Sequence, residues 1–234
     1  IHYGEFYLEQ NKNFLSFIKT ISEPSNVINK ITIVEGSSKF NLNKELNKMF
    51  TTYSSLSYNN IIADTYFIDD KKNFNKFNKK LVNFKNNFFL KFNQNPLLSK
   101  FTIDEIMVIG SLIEKEGLDY EDKRLISSVI LNRLEKKMKL QIDATVVYAI
   151  TEGKYKINRN LNYNDLKIAS PFNTYKISEL PPQPIAYVGS KTIELIMENY
   201  KTDYLFYFYD VLKKKHIFSK NYKNNINKLN EYRK

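Results

Sequence analysis

Apolar residues recur at helical spacing over several stretches of the chain and alternate in strand fashion over a few short ones. Leu125, Ile126, Val129, Ile130 and Leu134 fall at steps that put side chains on one face, predicting a helix over 121–138. The capping-box signature Thr102-Ile103-Asp104-Glu105 precedes an apolar run, so a helix is expected from there to about Glu116, with Gly117 as its stop. Further helices are predicted over 13–21, 43–50 and 71–92, then a short one N-capped by Asp143 and running through Ile150, and a terminal one from about Tyr222. Strands are predicted over 4–8, over 30–35 where Ile31 and Ile33 alternate with polar residues, and over 204–209 and 216–219 around a lysine-rich turn at 213–215. Asn95-Pro96 breaks the chain, and Pro171, Pro181, Pro182 and Pro184 make 170–188 an expected stiff, extended loop. Antiparallel strands beside separate helices point to an α+β class, a small mixed or antiparallel sheet with several helices.

Composition narrows the chemistry. The 234 residues can bury a substantial core, and 42% hydrophobic with 26% charged residues is ordinary for a globular protein. Without cysteine there is no disulfide, thiolate nucleophile or Cys-zinc site, and His2 and His216 alone cannot build a multi-histidine metal centre. The six glycines are too scattered for a dinucleotide or Walker loop, so neither a metal nor a cofactor is called for. The longest apolar run, Ile106 to Ile113, is far below the ~20 residues of a membrane span. The net charge of +11 suggests an anionic partner. Lysine supplies nearly all of it, however, and the forked donor that reads bases occurs only at Arg124, Arg133, Arg159 and Arg233. Direct nucleic-acid binding is therefore disfavoured.

Two segments carry candidate chemistry. On the helix ending Leu112-Ile113-Glu114-Lys115-Glu116-Gly117, Asp104, Val108, Ser111 and Lys115 share one side, and Ile106, Ile109, Gly110 and Ile113 the opposite, core-facing side. Glu116 lies on the flank of Ile109 and Leu112, and Glu114 on the other. Carboxylates two positions apart diverge by about 200° and cannot form one acid/base pair. Apolar neighbours would raise the pKa of Glu116 and suit it to general-acid work; a solvated Glu at a helix end is the competing reading. The proline-rich stretch around Asn173 and Tyr175 combines stiff backbone with amide, hydroxyl and aromatic groups, equipment for a sugar-binding wall, for a polyproline ligand or for an ordinary connection. Gln141 and Asp143 offer an amide and a carboxylate ahead of a short helix.

Read in order, Ser111–Gly117 (SLIEKEG), Leu125–Arg133 (LISSVILNR), Leu134–Tyr148 (LEKKMKLQIDATVVY), Ser170–Tyr175 (SPFNTY), Leu180–Ala186 (LPPQPIA), Lys201–Tyr207 (KTDYLFY) and His216–Lys220 (HIFSK) resemble the endolytic murein transglycosylase family, the MltG or YceG-like lytic transglycosylases. Weaker matches lie at Ile31–Gly36 and Asp64–Tyr66. The resemblance implies cleavage of the β-1,4 bond between N-acetylmuramic acid and N-acetylglucosamine without water, leaving a 1,6-anhydro end. It implies Glu116 as the catalytic acid, with Gln141, Asn173 and Tyr175 as glycan-binding candidates and Glu114 and Asp64 ranked below them. It implies peptidoglycan strands as the partner, with peptidoglycan synthases as further partners, and no cofactor. It also implies a LysM-like subdomain, of which 1–35 would be a remnant before a catalytic domain over 36–234 with its motif-dense core at 102–220. The family's single-pass anchor in the bacterial inner membrane is expected to be missing from this chain, leaving a soluble fragment of a domain on the periplasmic face. The chain departs from the family pattern at Ile142 and Ala144 and again at Tyr187-Val188-Gly189. A catalytically silent peptidoglycan-binding module and a basic nucleic-acid-binding protein are the alternative readings.

Overall fold

The capping box builds the helix that runs through the hydrophobic core. In the computed structural model, which describes residues 6–8, 13–24, 29–68 and 73–232, Thr102 accepts the Glu105 N–H while the Glu105 carboxylate accepts the Thr102 N–H at 2.7 Å. From there α4 (Ile103–Glu116) runs to Gly117, whose N–H closes on the Ile113 carbonyl at 2.8 Å. All eight residues from Ile106 to Ile113 are buried, so α4 is a central helix and not the two-sided one expected. Val108 and Ser111, placed on the outer side with Lys115, are buried as well, because other elements pack around the full circumference of α4.

Those elements are α5 (Tyr120–Glu135), α6 (Asp143–Thr151), α7 (Ser190–Met197), the 3-10 turn at Tyr58–Asn60 and the two-residue strand β4 (Val188–Gly189). Earlier in the chain come α1 (Phe14–Ser22), β1 (Lys30–Thr32), α2 (Lys39–Met49), β2 (Ile62–Ala63), β3 (Thr65–Phe67) and α3 (Phe74–Leu90). In α3 the buried residues Phe74, Phe77, Leu81, Lys85 and Phe89 follow helical spacing behind an Asn73 cap. Helix α2 begins at Lys39 because Ser38 caps it, four residues before the expected start. Phe50 packs on Phe74 and Phe77 with ring centroids 5.3 Å apart, joining α2 and α3 to the central core. At the C-terminal end β5 (Phe206–Asp210) and β6 (Lys215–Ser219) form an antiparallel hairpin, followed by α8 (Tyr222–Tyr232).

The α+β class holds, but the strands form three two-stranded ladders and not one sheet. Pairs β1–β3 and β5–β6 are antiparallel, whereas β2–β4 is parallel and brings Ile62 against Val188. The expected boundary after residue 35 passes between paired strands, since β1 precedes it and β3 follows it, and Ile31 and Ile33 belong to the common core. Of the strand expected over 4–8, residues 4–5 lie outside the described residues, and 6–8 form no strand. The start expected for α3 at residue 71 also lies outside them. Among the described residues, no helix is long and apolar enough to cross a membrane.

The proline-rich loop ends against α4 in a fixed register. The Ser111 hydroxyl accepts the Ile185 N–H at 3.0 Å while donating to the Val108 carbonyl. A Cβ on Gly110 would stand 2.6 Å from a Val188 methyl, so the missing side chain is what lets β4 approach. Tyr187 exchanges backbone hydrogen bonds with Gly36 and Ser37, at 2.8 and 3.0 Å, and its buried hydroxyl donates to the Leu56 carbonyl. The departures from the family pattern at Ile142, Tyr187 and Val188 are therefore core positions, each at most 2% exposed.

Candidate active site

The last turn of α4 aims its two glutamates into different surroundings. Glu114 points to α5 and β4: its carboxylate pairs with Lys123 at 2.6 Å and accepts the Gly189 N–H at 3.0 Å, and its side chain is 2% exposed. Lys123 also approaches Glu35 at 4.0 Å, and Asp64 acts on the same Glu35. Glu35 has a raised pKa through burial and the charge of Glu114. Glu114 and Asp64 thus belong to a second polar cluster. Glu114 is too enclosed and too fully bonded to meet a glycan strand, and the exposed Asp64 spends one carboxylate oxygen on the Thr65 N–H.

Glu116 faces the terminal hairpin and the start of α6. Its Oε2 accepts the Tyr207 hydroxyl at 3.2 Å, and the Ala144 N–H in the first turn of α6 also points to it. Burial raises its pKa above the ordinary 4.5. The Tyr207 hydrogen bond pulls against that rise, Asp143 adds to it, and His216 and the Ala144 N–H again oppose it. Among the described residues, no lysine or arginine forms an ion pair with Glu116, in contrast to Glu114.

Strand alternation supplies the hairpin wall. Tyr207 and Tyr209 share one face of β5 and His216 and Phe218 the matching face of β6, with Tyr207 opposite Phe218 and Tyr209 opposite His216. The His216 ring meets Tyr207 edge-on at 5.3 Å, and its Nδ1 donates to Asp122 at 2.8 Å. The opposite wall is held by Arg133, which is buried and donates to the carbonyls of Lys139 (3.1 Å), Leu140 (2.8 Å) and Leu205 (2.5 Å). One side chain therefore ties the Gln141 loop to the strand carrying Tyr207.

Gln141 sits at φ +53°, an unusual conformation for a residue with a side chain. Its N–H reaches the Thr174 carbonyl, the following Ile142 N–H reaches the Thr174 hydroxyl at 2.9 Å, and the Gln141 side chain is exposed. Asp143 does not N-cap α6: it is the first helical residue, and its carboxylate accepts the Tyr175 hydroxyl at 2.5 Å. Tyr175 is raised well above its ordinary range by burial and by that contact, and the charge of Glu116 reaches it. Asn173 is fully buried: it donates to the Leu166 and Ile168 carbonyls and accepts the Tyr175 N–H. It shapes the loop from inside and has no surface to offer a strand.

Glu116, Tyr175 and the Gln141 loop are thus brought together, whereas Glu114 and Asp64 stand elsewhere and Asn173 lies beneath. Tyr207, His216, Asp122 and Arg133 complete the site without having been singled out as site residues, although Tyr207 and His216 lie within the motifs KTDYLFY and HIFSK. The signal available for Tyr207 and His216 was the strand alternation within those motifs. Among the described residues, no group of three or more His, Cys, Asp or Glu could hold a metal ion.

Comparison with known proteins agrees with this architecture. An endolytic murein transglycosylase of Bacillus subtilis is 46% identical over 109 residues, which are 47% of this chain and 29% of that protein. One from Streptococcus pneumoniae is 37% identical over 123 residues, 51% of this chain and 22% of that protein. The matched stretch is thus less than a third of either relative's length. The crystal structure of a YceG-like protein from Listeria monocytogenes superposes with a TM-score of 0.70 at 25% identity, covering 96% of this chain and 83% of that one. The YceG-like family model matches residues 1–231. With a match across almost the whole length, the chain belongs to the YceG-like family.

Proposed function

We propose that this protein is an endolytic lytic transglycosylase acting on murein in the bacterial cell wall, with Glu116 as its one acid/base group. The observation that carries this reading is the setting of Glu116: a carboxyl group raised by burial, held by a tyrosine hydroxyl and a backbone N–H, with no lysine or arginine ion-paired to it among the described residues. Such a group keeps a proton to higher pH than a solvated glutamate does. Asp143, whose charge reaches Glu116, already has an oxygen engaged by Tyr175. One working carboxyl group suits a reaction whose nucleophile belongs to the substrate, unlike glycoside hydrolysis with two carboxyl groups and a water.

In this mechanism protonated Glu116 gives its proton to the glycosidic oxygen as the bond from that oxygen to muramoyl C1 breaks. The carboxylate left behind, stabilised by the Tyr207 hydroxyl and the Ala144 N–H, then removes the proton of the muramoyl C6 hydroxyl. The C6 oxygen closes on C1, forming the 1,6-anhydro ring and returning Glu116 to its protonated state. Holding the C6 hydroxyl within the same sugar gives it a high effective concentration over water. Gln141 and Tyr175 flank the reacting sugar, with Asn173 keeping Tyr175 in place.

The test is incubation of the protein and Glu116→Gln with purified murein, followed by mass spectrometry of the released fragments. Anhydromuropeptides from the unaltered protein only are the expected result. Equal release by Glu116→Gln, or reducing ends in place of anhydro ends, would overturn the assignment.

A further inference from the structure

Beside the last turn of α4 opens a groove of about 540 Å³ that Glu116 itself does not line. Its lining starts at Lys115 and Ala144, the residues that adjoin or bond Glu116, and continues along α6 through Val147, Tyr148 and Thr151. Beyond the helix the lining includes Lys154, Tyr155 and Lys156, and Gly36, Ser38, Phe40, Asn41 and Lys44 contribute from α2 and the turn before it. Among the described residues that line it there are four lysines, Lys44, Lys115, Lys154 and Lys156, and no aspartate or glutamate. This contrasts with the Glu114 side of α4, where Glu35, Glu114 and Asp64 gather.

The lysines are only lightly committed. Lys154 pairs with Glu152 at the surface, where both side chains are 66% exposed and the pair is worth little. Lys44 lies over the Phe40 ring at 4.5 Å, and Lys115 reaches the Gly36 carbonyl at a long 3.4 Å. A neutral sugar ring has no use for such a set of ammonium groups; a chain carrying several carboxylates does.

We infer that this groove binds the anionic peptide stem of the muramoyl residue being cleaved, a step that rests on the reading of the protein as a murein lytic transglycosylase. Covalent connectivity supports it, because the stem hangs from the same sugar ring whose C1 reacts, and the groove is lined at one end by Lys115 and Ala144, which adjoin or bond Glu116. Length agrees as well. From Ala144 to Thr151 the helix rises about 10 Å, and three extended peptide residues span about the same distance. The far lysines, Lys154 and Lys156, then meet carboxylates at the outer part of the stem. Tyr148 and Tyr155 supply apolar walls for its backbone. The enzyme would thereby tell stem-bearing strands from strands whose stems have been removed.

The test measures binding and so does not depend on turnover. Glu116→Gln is titrated with glycan strands that keep their stems and with the same strands stripped by an amidase, at low and at high salt. Stem-bearing strands are expected to bind about tenfold more tightly at low salt, with the advantage shrinking as salt screens the lysines. Adding Lys44→Gln, Lys154→Gln and Lys156→Gln together should bring the two affinities within about twofold of each other. Equal binding of both kinds of strand by Glu116→Gln, or an undiminished preference in the triple-lysine variant, would overturn the inference. A failure of the unaltered protein to form anhydro ends would instead count against the activity, and the two failures are read from different experiments.

Discussion

Two glutamates stand two residues apart at the end of one helix, and almost nothing about their surroundings is alike. Glu114 has a lysine at 2.6 Å, a backbone N–H at 3.0 Å and almost no exposure, so it works as a charged bolt between α4, α5 and β4. Glu116 has a hydroxyl at 3.2 Å, a backbone N–H and, among the described residues, no lysine or arginine ion-paired to it, and burial lifts its pKa. Residue type and helix position are shared, so the difference comes from what the fold brings to each flank. A carboxylate clamped by a lysine and a backbone N–H does structural work. One that is desolvated and only hydrogen-bonded is held ready to exchange a proton.

The largest expected effect comes from breaking the structural side of this pair. Glu114→Ala leaves the Lys123 ammonium without its close partner and the Gly189 N–H without an acceptor, and should cost about 3–5 kcal/mol of stability in urea unfolding. A loss below about 1 kcal/mol would mean that Glu114 is not the bolt described.

Tyr207→Phe sharpens the other side. Removing the hydroxyl takes away the donor that lowers the pKa of Glu116, so that pKa should rise further. The limb of the pH–rate profile along which activity falls with rising pH should then move to higher pH. The maximal rate should fall about tenfold, the usual scale for a hydrogen bond to a charged group. An unmoved limb would show that the contact does not tune the acid.

The smallest expected effect has the opposite sign to that of Glu114→Ala. A carboxyl group whose folded pKa is raised binds its proton more tightly in the folded state than in the unfolded one. Its stability contribution is complete below the ordinary 4.5 and is lost as pH climbs through the raised value. Glu116→Gln abolishes that loss, so thermal unfolding at neutral pH should shift upward by about 2 °C. The gain should vanish when both proteins are melted below pH 4.5. A variant less stable than its parent at neutral pH would place Glu116 with the structural carboxylates.

What the chain itself made legible follows the same division. The capping box at Thr102 and Glu105, the stop at Gly117 and the divergence of Glu114 from Glu116 are local features, written within one helix, and they stand in the structure. The partners of Glu116 are not local: Tyr207 is 91 residues away in sequence, and the aspartate that holds His216 is 94 residues from it. Only the folding of the terminal hairpin against α5 brings them in. Ser111 and Val108 read as an outer face because helical periodicity reports a single apolar stripe, whereas α4 is enclosed by five neighbouring elements. Asp143 read as a cap because that is the commonest use of an aspartate ahead of a short helix; the Tyr175 hydroxyl claims its carboxylate first. Asn173, chosen for its amide, spends that amide on the carbonyls of its own loop.

In the proposed reaction one carboxyl group serves both proton transfers and the nucleophile belongs to the sugar. Its most direct test is digestion of murein in water labelled with heavy oxygen, reading the mass of each new muramoyl end. The expected ends are lighter by one water than hydrolysed ends and carry no label. Labelled reducing ends would contradict this mechanism, since a water would then have attacked the sugar.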